Sequence, residues 1–138
     1  MASIWIINQH ANTPKMPGHT RQFEVAKGLV DKGWFIEIFS SDFNLSERRF
    51  LRLKDNQLSK RETIEGIRWN WLRVFPYKTN NWKRYINIFS FSIHIFFKLL
   101  LKGIMNYLRN NSPDIIFASS PQLPAAVSAL LISKIFNK

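Results

Sequence analysis

Cysteine is absent from this 138-residue chain, which excludes disulfide bridges, thiolate metal ligands and a cysteine nucleophile. The three histidines are scattered, with no carboxylate at ligand spacing, so no metal site is predicted. The first residues lack a basic segment followed by an apolar one, so we expect no signal peptide and a cytoplasmic location. The length suits one domain, residues 1–138, with a real hydrophobic core.

Acidic residues are also few: nine, against twenty lysines and arginines, give a formal net charge of +11. Residues 1–42 carry four basic and four acidic side chains, whereas residues 43–109 carry fourteen basic and four acidic ones, a net charge of +10. A basic segment of this kind attracts phosphates. Nucleic acid, lipid headgroups and a diphosphate-bearing substrate are therefore all candidate partners.

A β-loop-α-β pattern occupies residues 3–40. Apolar runs at 3–8 and 34–40 predict parallel strands, and the spacing of apolar residues after Thr20 predicts an amphipathic helix that closes at Gly33. A glycine at the entrance of such a helix often brings backbone N–H groups to a phosphate. The loop holds one such glycine, Gly18, and lacks the Gly-x-Gly-x-x-Gly triplet, so a purely structural βαβ unit is the alternative.

The rest of the sequence predicts a long, mobile, basic loop over 40–60, a strand over 66–74 and a long helix over 82–109. A short buried strand over 114–118 and an apolar helix over 124–136 follow. Together these elements predict an α/β fold with a mainly parallel sheet. A parallel sheet is expected to continue after the last helix, so the sequence also suggests a fragment or a truncated gene product.

The helix predicted over 82–109 is apolar on two sides. We expect its core face to consist of Ile86, Phe89, Ile93, Phe96, Phe97, Leu100, Ile104 and Tyr107. On the opposite side Phe91 and Ile95 lie beside Lys98 and Lys102, and Arg84 adds charge near the helix start. Basic, aromatic-rich helices lie in membrane interfaces, so these five residues are predicted to dock on an anionic membrane. The alternative is that this side packs against a partner domain.

Three segments, in this order, resemble the N-terminal domain of glycosyltransferase family 4, enzymes with two Rossmann domains (GT-B). They are residues 4–33, with Pro17-Gly18-His19-Thr20-Arg21 as the glycine loop; residues 76–91; and Pro113-Asp114-Ile115-Ile116-Phe117-Ala118-Ser119-Ser120-Pro121. The chain is most similar to the subfamily resembling N-acetylfucosaminyltransferases of surface-polysaccharide synthesis. It departs from the family where a double glycine is replaced by Gly18-His19 and a frequent Gly-His by Gly33-Trp34.

The resemblance implies a Rossmann-like, three-layer α/β/α domain, the acceptor-side half of a glycosyltransferase, truncated after the helix that follows the fourth main strand. Its implied partners are a C-terminal donor-binding domain absent from this chain, a nucleotide-sugar donor, a lipid-linked saccharide acceptor and an anionic membrane surface. The donor is a substrate, and no cofactor is expected. We expect the full enzyme to work in cell-surface polysaccharide synthesis, peripherally at the inner face of the cytoplasmic membrane. Without a donor domain this chain alone is expected to be inactive, and no catalytic residue is assigned.

The glycine loop supplies the first candidate site residues. Gly18 and His19 would direct their amides at the donor diphosphate, near the N-terminus of the first helix. The alternative is a glycine that serves only the turn. Arg21, in the first helical turn, is a candidate phosphate contact, with a solvated arginine as the alternative.

Polar residues after two predicted strands supply the others. His10 and Asn12 follow the carboxyl end of the first strand, where α/β sheets place ligands, and Ser119 and Ser120 follow the fourth. They are predicted to contact the acceptor or a phosphate. A structural histidine is the alternative at position 10.

Other functions are compatible with the sequence. Asp42 follows the second strand, where an acidic residue can bind the ribose of a nicotinamide cofactor, but the glycine triplet of such dehydrogenases is missing. The basic excess with Trp69, Trp71 and Trp82 suggests single-stranded nucleic acid, although Trp69 and Trp71 alternate like core residues and no RNA-binding motif is present. A membrane-surface binding domain without catalysis is a further alternative.

Overall fold

The computed structural model describes residues 1–109, 112–119 and 123–137. In chain order its elements are β1 (Ser3–Ile7), α1 (Arg21–Val30), β2 (Phe35–Ser41), β3 (Phe43–Asn44), β4 (Arg49–Phe50), β5 (Ser59–Ile64), β6 (Ile67–Leu72), α2 (Lys83–Leu108), β7 (Ile115–Ala118) and α3 (Leu123–Phe136). Five strands form one sheet in the order β5-β6-β2-β1-β7. All neighbours pair in parallel except β5, which is antiparallel to β6. The predicted α/β class and mainly parallel sheet are confirmed.

Alternate residues of the strands enter two separate cores, one on each face of the sheet. On one face, apolar residues of β1, β2 and β6 pack against α1; these include Ile4, Ile6, Ile36, Ile38, Phe23 and Ala26. On the other face the sheet packs against α2 and α3 through residues that include Trp5, Ile7, Phe39, Leu72, Phe91, Ile95, Leu99, Ala129 and Ile132. Both faces of the described sheet are therefore covered by helices, as parallel sheets require.

The carboxyl end of α1 is closed as the sequence predicted. Gly33 has a positive φ of 82°, and its N–H donates to the carbonyl of Val30 at 2.9 Å. The next amide, of Trp34, returns to the carbonyl of Leu29 at 3.1 Å, so the last carbonyls of the helix are satisfied. Thr20 is the N-cap residue of α1, but its side chain makes no capping hydrogen bond.

The long, mobile, basic loop predicted over 40–60 contains more regular structure than the sequence indicated. Phe43–Asn44 and Arg49–Phe50 form an antiparallel hairpin, and the turn between them is organised by Asn44. The Asn44 side-chain oxygen accepts from the amides of Ser46 at 2.9 Å and Glu47 at 3.0 Å. The hairpin turn is thus stabilised by a polar side chain. It has no alternation of apolar and polar residues by which the sequence would have revealed it.

A third strand that the sequence did not predict is β5, which pairs with β6 across the two-residue turn Glu65-Gly66. Both turn residues have positive φ, 49° and 79°, as tight hairpin turns of this length require. β5 escaped prediction because it is a polar edge strand with mostly exposed or half-buried residues. Its partner β6 was predicted from its tryptophans, and both Trp69 and Trp71 are fully buried.

The length of α2 agrees with the prediction to within one residue at each end, but the assignment of its faces was wrong. Phe91 and Ile95, predicted to meet a membrane, are 0% exposed and pack on the sheet and α3. Phe89, Ile93, Phe97 and Ile104, predicted to form the core, are exposed. The pattern could not decide between the faces because both are rich in aromatic and aliphatic residues.

Two lysines of α2 also point inward rather than toward a membrane. Lys102 makes a 2.9 Å ion pair with the buried Glu37 of β2, and Lys98 donates a 3.0 Å hydrogen bond to Ser59 of β5. Burial lowers the pKa of Lys98, as do the nearby positive charges of Arg61 and Lys102. Both lysines therefore belong to the packing between α2 and the sheet.

Candidate functional site

A pocket of about 220 Å³ lies at the carboxyl ends of β1 and β2, which we call the sheet-end pocket. It is lined by Gln9, His10, Asn12, Pro17, Gly18, His19, Ser41, Phe43, Leu45 and Ser46. No lysine, arginine, aspartate or glutamate is among these residues. Four of the predicted site residues, His10, Asn12, Gly18 and His19, are thus brought together.

The loop that carries these residues, 8–19, is held by the end of β2 and by the β3–β4 hairpin. The Ser40 hydroxyl donates to the carbonyl of Ala11 at 2.9 Å, and the amide of Ser41 donates to the carbonyl of Gln9 at 3.1 Å. The Asn44 side chain donates to the carbonyl of Pro17 at 3.2 Å. The walls of the pocket are therefore fixed by hydrogen bonds to secondary structure.

Gly18 is required for the geometry of this loop. Its φ is +127°, a region that side chains rarely adopt, and a Cβ atom would lie 2.2 Å from the side-chain nitrogen of Asn12. The close approach of Asn12 to the Gly18 backbone places both residues on one wall of the pocket. This constraint holds whether or not the Gly18 amide faces a diphosphate.

Gln9 lines the pocket and carries a buried side-chain oxygen without a hydrogen-bond partner. The residue is 1% exposed, and its side-chain nitrogen donates to the Asn87 side chain of α2 at 2.6 Å. Its Oε1 has no hydrogen-bond partner among the described residues. Buried polar atoms are nearly always paired, so this oxygen has capacity for one more hydrogen bond from any donor that reaches it.

His10 is neutral at physiological pH in this environment. Burial, and to a smaller extent the positive charge of Arg84, lowers the pKa of the imidazole from 6.5 to about 4. The backbone N–H of His10 donates to the Asn8 side chain at 2.8 Å, which fixes the start of the loop. A neutral imidazole can both donate and accept a hydrogen bond, as a sugar hydroxyl requires. Arg84, predicted to dock on a membrane, is exposed and lies near enough to lower the pKa of His10.

We expect the low pKa of His10 to appear in the pH dependence of stability. The unfolded chain takes up a proton near pH 6.5 and the folded chain only near pH 4, so the free energy of unfolding should fall as the pH drops between these values. The loss should be on the order of 3 kcal/mol, and it should level off below about pH 4. Chemical denaturation across this range measures it.

The variant Arg84→Gln separates the two causes of this shift. Removal of the positive charge should raise the pKa of His10 while leaving it below 6.5, because burial remains the larger cause. NMR titration of the His10 imidazole follows the change directly. An unchanged His10 titration would contradict the proximity of Arg84 to the pocket.

Arg21 and Ser119 lie apart from the sheet-end pocket. They line a smaller pocket of about 80 Å³ with Ile6, Gln22, Val25 and Phe117, on the α1 side of β7. The Gln22 side chain donates to the Ser119 hydroxyl at 3.3 Å and links α1 to the end of β7. Ser120, the remaining predicted contact, lies outside the described residues.

Asp42 is not placed to bind a ribose. Its side chain is fully buried, and its Oδ2 accepts hydrogen bonds from the amides of Arg52 at 2.8 Å and Leu53 at 2.7 Å. The carboxylate therefore holds the segment after β4 in place. Asp42 was the residue that suggested a nicotinamide-dependent dehydrogenase, so the structure no longer supports that alternative.

A larger cavity, of about 440 Å³, lies at the opposite, amino end of the sheet. It is lined by residues that include Trp5, Phe35, Arg68 and Asp114, together with the Glu37–Lys102 ion pair. The side chain of Asn70 donates a further hydrogen bond to Glu37 at 2.9 Å. Ligands of parallel α/β sheets bind at the carboxyl ends of the strands, so the smaller sheet-end pocket is the better candidate.

Six lining residues of the sheet-end pocket were not predicted as site residues from the sequence: Gln9, Pro17, Ser41, Phe43, Leu45 and Ser46. Gln9 and Ser41 follow or end parallel strands, and this position alone could have identified them. Phe43, Leu45 and Ser46 belong to the β3–β4 hairpin and its turn, which the sequence pattern did not reveal. Among the described residues, no group of three or more His, Cys, Asp or Glu could hold a metal ion.

In comparisons with known proteins, no family model and no curated protein matches this chain.

Proposed function

We propose that this chain is the acceptor-side domain of a glycosyltransferase and that the sheet-end pocket binds a neutral sugar. The observation that carries the proposal is the chemistry of the pocket, which offers amide, imidazole and hydroxyl groups and no charged side chain. The side-chain amides of Gln9 and Asn12, which line the pocket, can both donate to and accept from sugar hydroxyls. An apolar wall of Phe43 and Leu45 suits the C–H face of a pyranose ring.

The fold is compatible with this proposal. Taken in chain order, the four parallel strands lie in the order third, second, first, fourth across the sheet. This is the order of the first four strands of a doubly wound nucleotide-binding fold, in which ligands bind at the carboxyl ends of the strands, the edge of the sheet where the sheet-end pocket lies. A fold of this kind supports many functions. Sugar transfer is proposed among them because three segments resemble glycosyltransferase family 4.

In this proposal the residues of the pocket have different tasks. Gln9, His10 and Asn12 hold the hydroxyls of the sugar, while the amides at Gly18 and His19 lie toward the donor diphosphate. His10 is a weak base because its pKa is about 4, so we assign it to positioning rather than to proton transfer. Arg84, which already acts on His10, supplies positive charge near the pocket that suits the diphosphate.

The proposed full enzyme takes a sugar from a nucleotide-sugar to a lipid-linked or polysaccharide acceptor at the inner face of the cytoplasmic membrane. A separate donor-binding domain holds most of the nucleotide.

Single-stranded nucleic acid is a weaker candidate ligand, because Trp69 and Trp71 are fully buried and stack on each other with their ring centroids 4.7 Å apart. They cannot stack on bases, and of the three tryptophans only Trp82 is exposed.

Ligand-observed NMR tests sugar binding with the 138-residue chain itself. Saturation transfer to N-acetylglucosamine should be detectable, and Gln9→Met should weaken binding about fivefold to tenfold because the unpaired acceptor is lost. Gln22→Met is the matched control, since Gln22 lines the separate pocket with Arg21 and Ser119. Equal loss in both variants, or salt-sensitive binding of a single-stranded oligonucleotide in place of sugar, would contradict the proposal.

A further inference from the structure

The exposed surface of α2 and α3 is apolar along most of its length. On α2 the exposed residues recur every three or four positions: Phe89, Ile93, Phe97, Leu101, Met105 and Leu108. On α3 they are Leu123, Val127, Leu130, Leu131 and Ile135. We call this surface the α2–α3 ridge. Its continuity distinguishes it from the single exposed apolar residues that are normal on protein surfaces.

The two helices of the ridge are locked together. The hydroxyls of Ser92 on α2 and Ser128 on α3 lie 2.8 Å apart and are buried, and Ser92 also donates to the carbonyl of Pro124 at 2.6 Å. Farther along, Gly103 lets the ring of Phe136 approach so closely that a Cβ would lie 2.3 Å from it. The exposed apolar side chains therefore stand on a fixed two-helix platform.

An apolar groove runs over the serine contact between the helices. One part, of about 400 Å³, is lined by Phe89, Ser92, Ile93, Leu123, Pro124, Val127 and Ser128. A second part continues along α2 past Phe96 and Phe97 to Leu131. Both parts offer almost entirely hydrocarbon to whatever covers them, which excludes a polar ligand as the natural occupant.

The charges around the ridge indicate which apolar occupant fits. Neither Lys83–Leu108 nor Leu123–Phe136 contains an acidic residue. Exposed cations lie at both ends of α2: Lys83 and Arg84 at its start, and Arg109 just after its end. A further exposed cation, Lys134, lies in the last turn of α3. Exposed Trp82 and Tyr85 near one end and Tyr107 near the other have the amphipathic rings typical of the membrane–water interface.

The ridge is suited to lie on a bilayer rather than to cross it. α2 is long and apolar enough to span a membrane by length and composition, with a mean hydropathy of 1.6 over its most apolar window. Helices of soluble cores pass the same test, and the inner side of α2 is committed to the sheet through Phe91, Ile95 and Leu99. Only its outer side is available to lipid.

We propose that the α2–α3 ridge docks on an anionic lipid surface, with Phe89, Ile93, Phe97 and Val127 entering the acyl boundary while the flanking lysines and arginines meet the headgroups. Apolar insertion and headgroup attraction add in such binding. The proposed membrane face thus lies on the opposite side of α2 from the face that the sequence predicted. This inference does not depend on the identity of the ligand in the sheet-end pocket.

Co-sedimentation of the chain with vesicles tests the docking. The chain should partition onto vesicles that mix phosphatidylcholine with phosphatidylglycerol, much less onto phosphatidylcholine alone, and added salt should weaken the binding. The double variant Ile93→Ser/Val127→Ser should lower the partition coefficient about tenfold or more, since two apolar side chains leave the lipid. Both positions are exposed in the free chain, so folding should persist, which circular dichroism checks.

The matched control is Val25→Ser on α1. Val25 is 50% exposed and Val127 is 55% exposed, but Val25 lies on the other face of the sheet. The control should bind vesicles like the parent chain. The proposal is overturned if the parent chain does not bind anionic vesicles, or if the double variant binds them equally well. A dimer that the double variant abolishes, without vesicle binding, would assign the ridge to a second copy instead.

Discussion

Replacement of Lys102 by methionine should lower the free energy of unfolding by about 3 to 5 kcal/mol, the largest effect that we expect from a single charged residue. Lys102 is the ion-pair partner of Glu37, at 2.9 Å, and the Glu37 side chain is 1% exposed in the middle of the sheet. Without the lysine, the buried carboxylate loses its counter-charge and keeps the hydrogen bond from the Asn70 side chain of β6. Urea denaturation measures the loss.

The control for this prediction is Lys98→Met, one turn earlier on the same helix. Lys98 donates to a serine hydroxyl rather than to a buried charge, and burial already lowers its pKa. Its replacement should change the free energy of unfolding by no more than about 1 kcal/mol. The double variant Glu37→Gln/Lys102→Met should recover much of the loss, because no unpaired charge remains. Equal losses in the two lysine variants would contradict the assigned ion pair.

Replacement of Phe91 by alanine should be similarly damaging, at about 3 to 5 kcal/mol, because it opens a cavity between α2 and the sheet. Phe91 is 0% exposed and packs in the core with Ile95, Leu99 and residues of α3. The matched change is Phe97→Ala on the same helix, where the ring is 57% exposed. That variant should lose less than about 1 kcal/mol in the absence of lipid.

The Phe91 and Phe97 pair tests the orientation of α2 by a measurement that is independent of membranes. Thermal or urea denaturation of the two variants should rank them clearly. If Phe97→Ala were the more destabilising change, the helix would face the sheet as the sequence alone suggested, and the α2–α3 ridge would be lost as a docking surface.

The failure to orient α2 from its sequence has a physical cause. Its start and end were predictable from the extent of the apolar pattern, which the structure follows from Lys83 to Leu108. Its rotation was not, because aromatic and aliphatic residues occur on both sides. Small and polar residues on the buried side, Asn87, Ser92 and Gly103, were the overlooked signal, since close contacts between elements need them. Hydrophobicity alone assigned the exposed side of α2 to the core.

The candidate site was predictable only where it follows parallel strands. His10 and Asn12 after β1, and Gly18 in the same loop, could be found because parallel topology places the carboxyl ends of strands at one edge. The hairpin that completes the pocket is fixed by the side-chain bonds of Asn44, and such bonds leave no periodic pattern in the sequence. The unpaired oxygen of Gln9 depends on the position of Asn87, which is distant in the chain.

The central claim is that the sheet-end pocket binds a neutral sugar, and a two-dimensional amide NMR titration with N-acetylglucosamine tests it most directly. We predict that the largest shift changes occur at the amides of Gln9, Asn12, Gly18 and Ser46, which line the pocket. Amides of Ser3 and Arg68, at the larger cavity of the opposite sheet end, should barely move. A response centred on that cavity, or none at the sheet-end pocket at saturating sugar, would contradict the account.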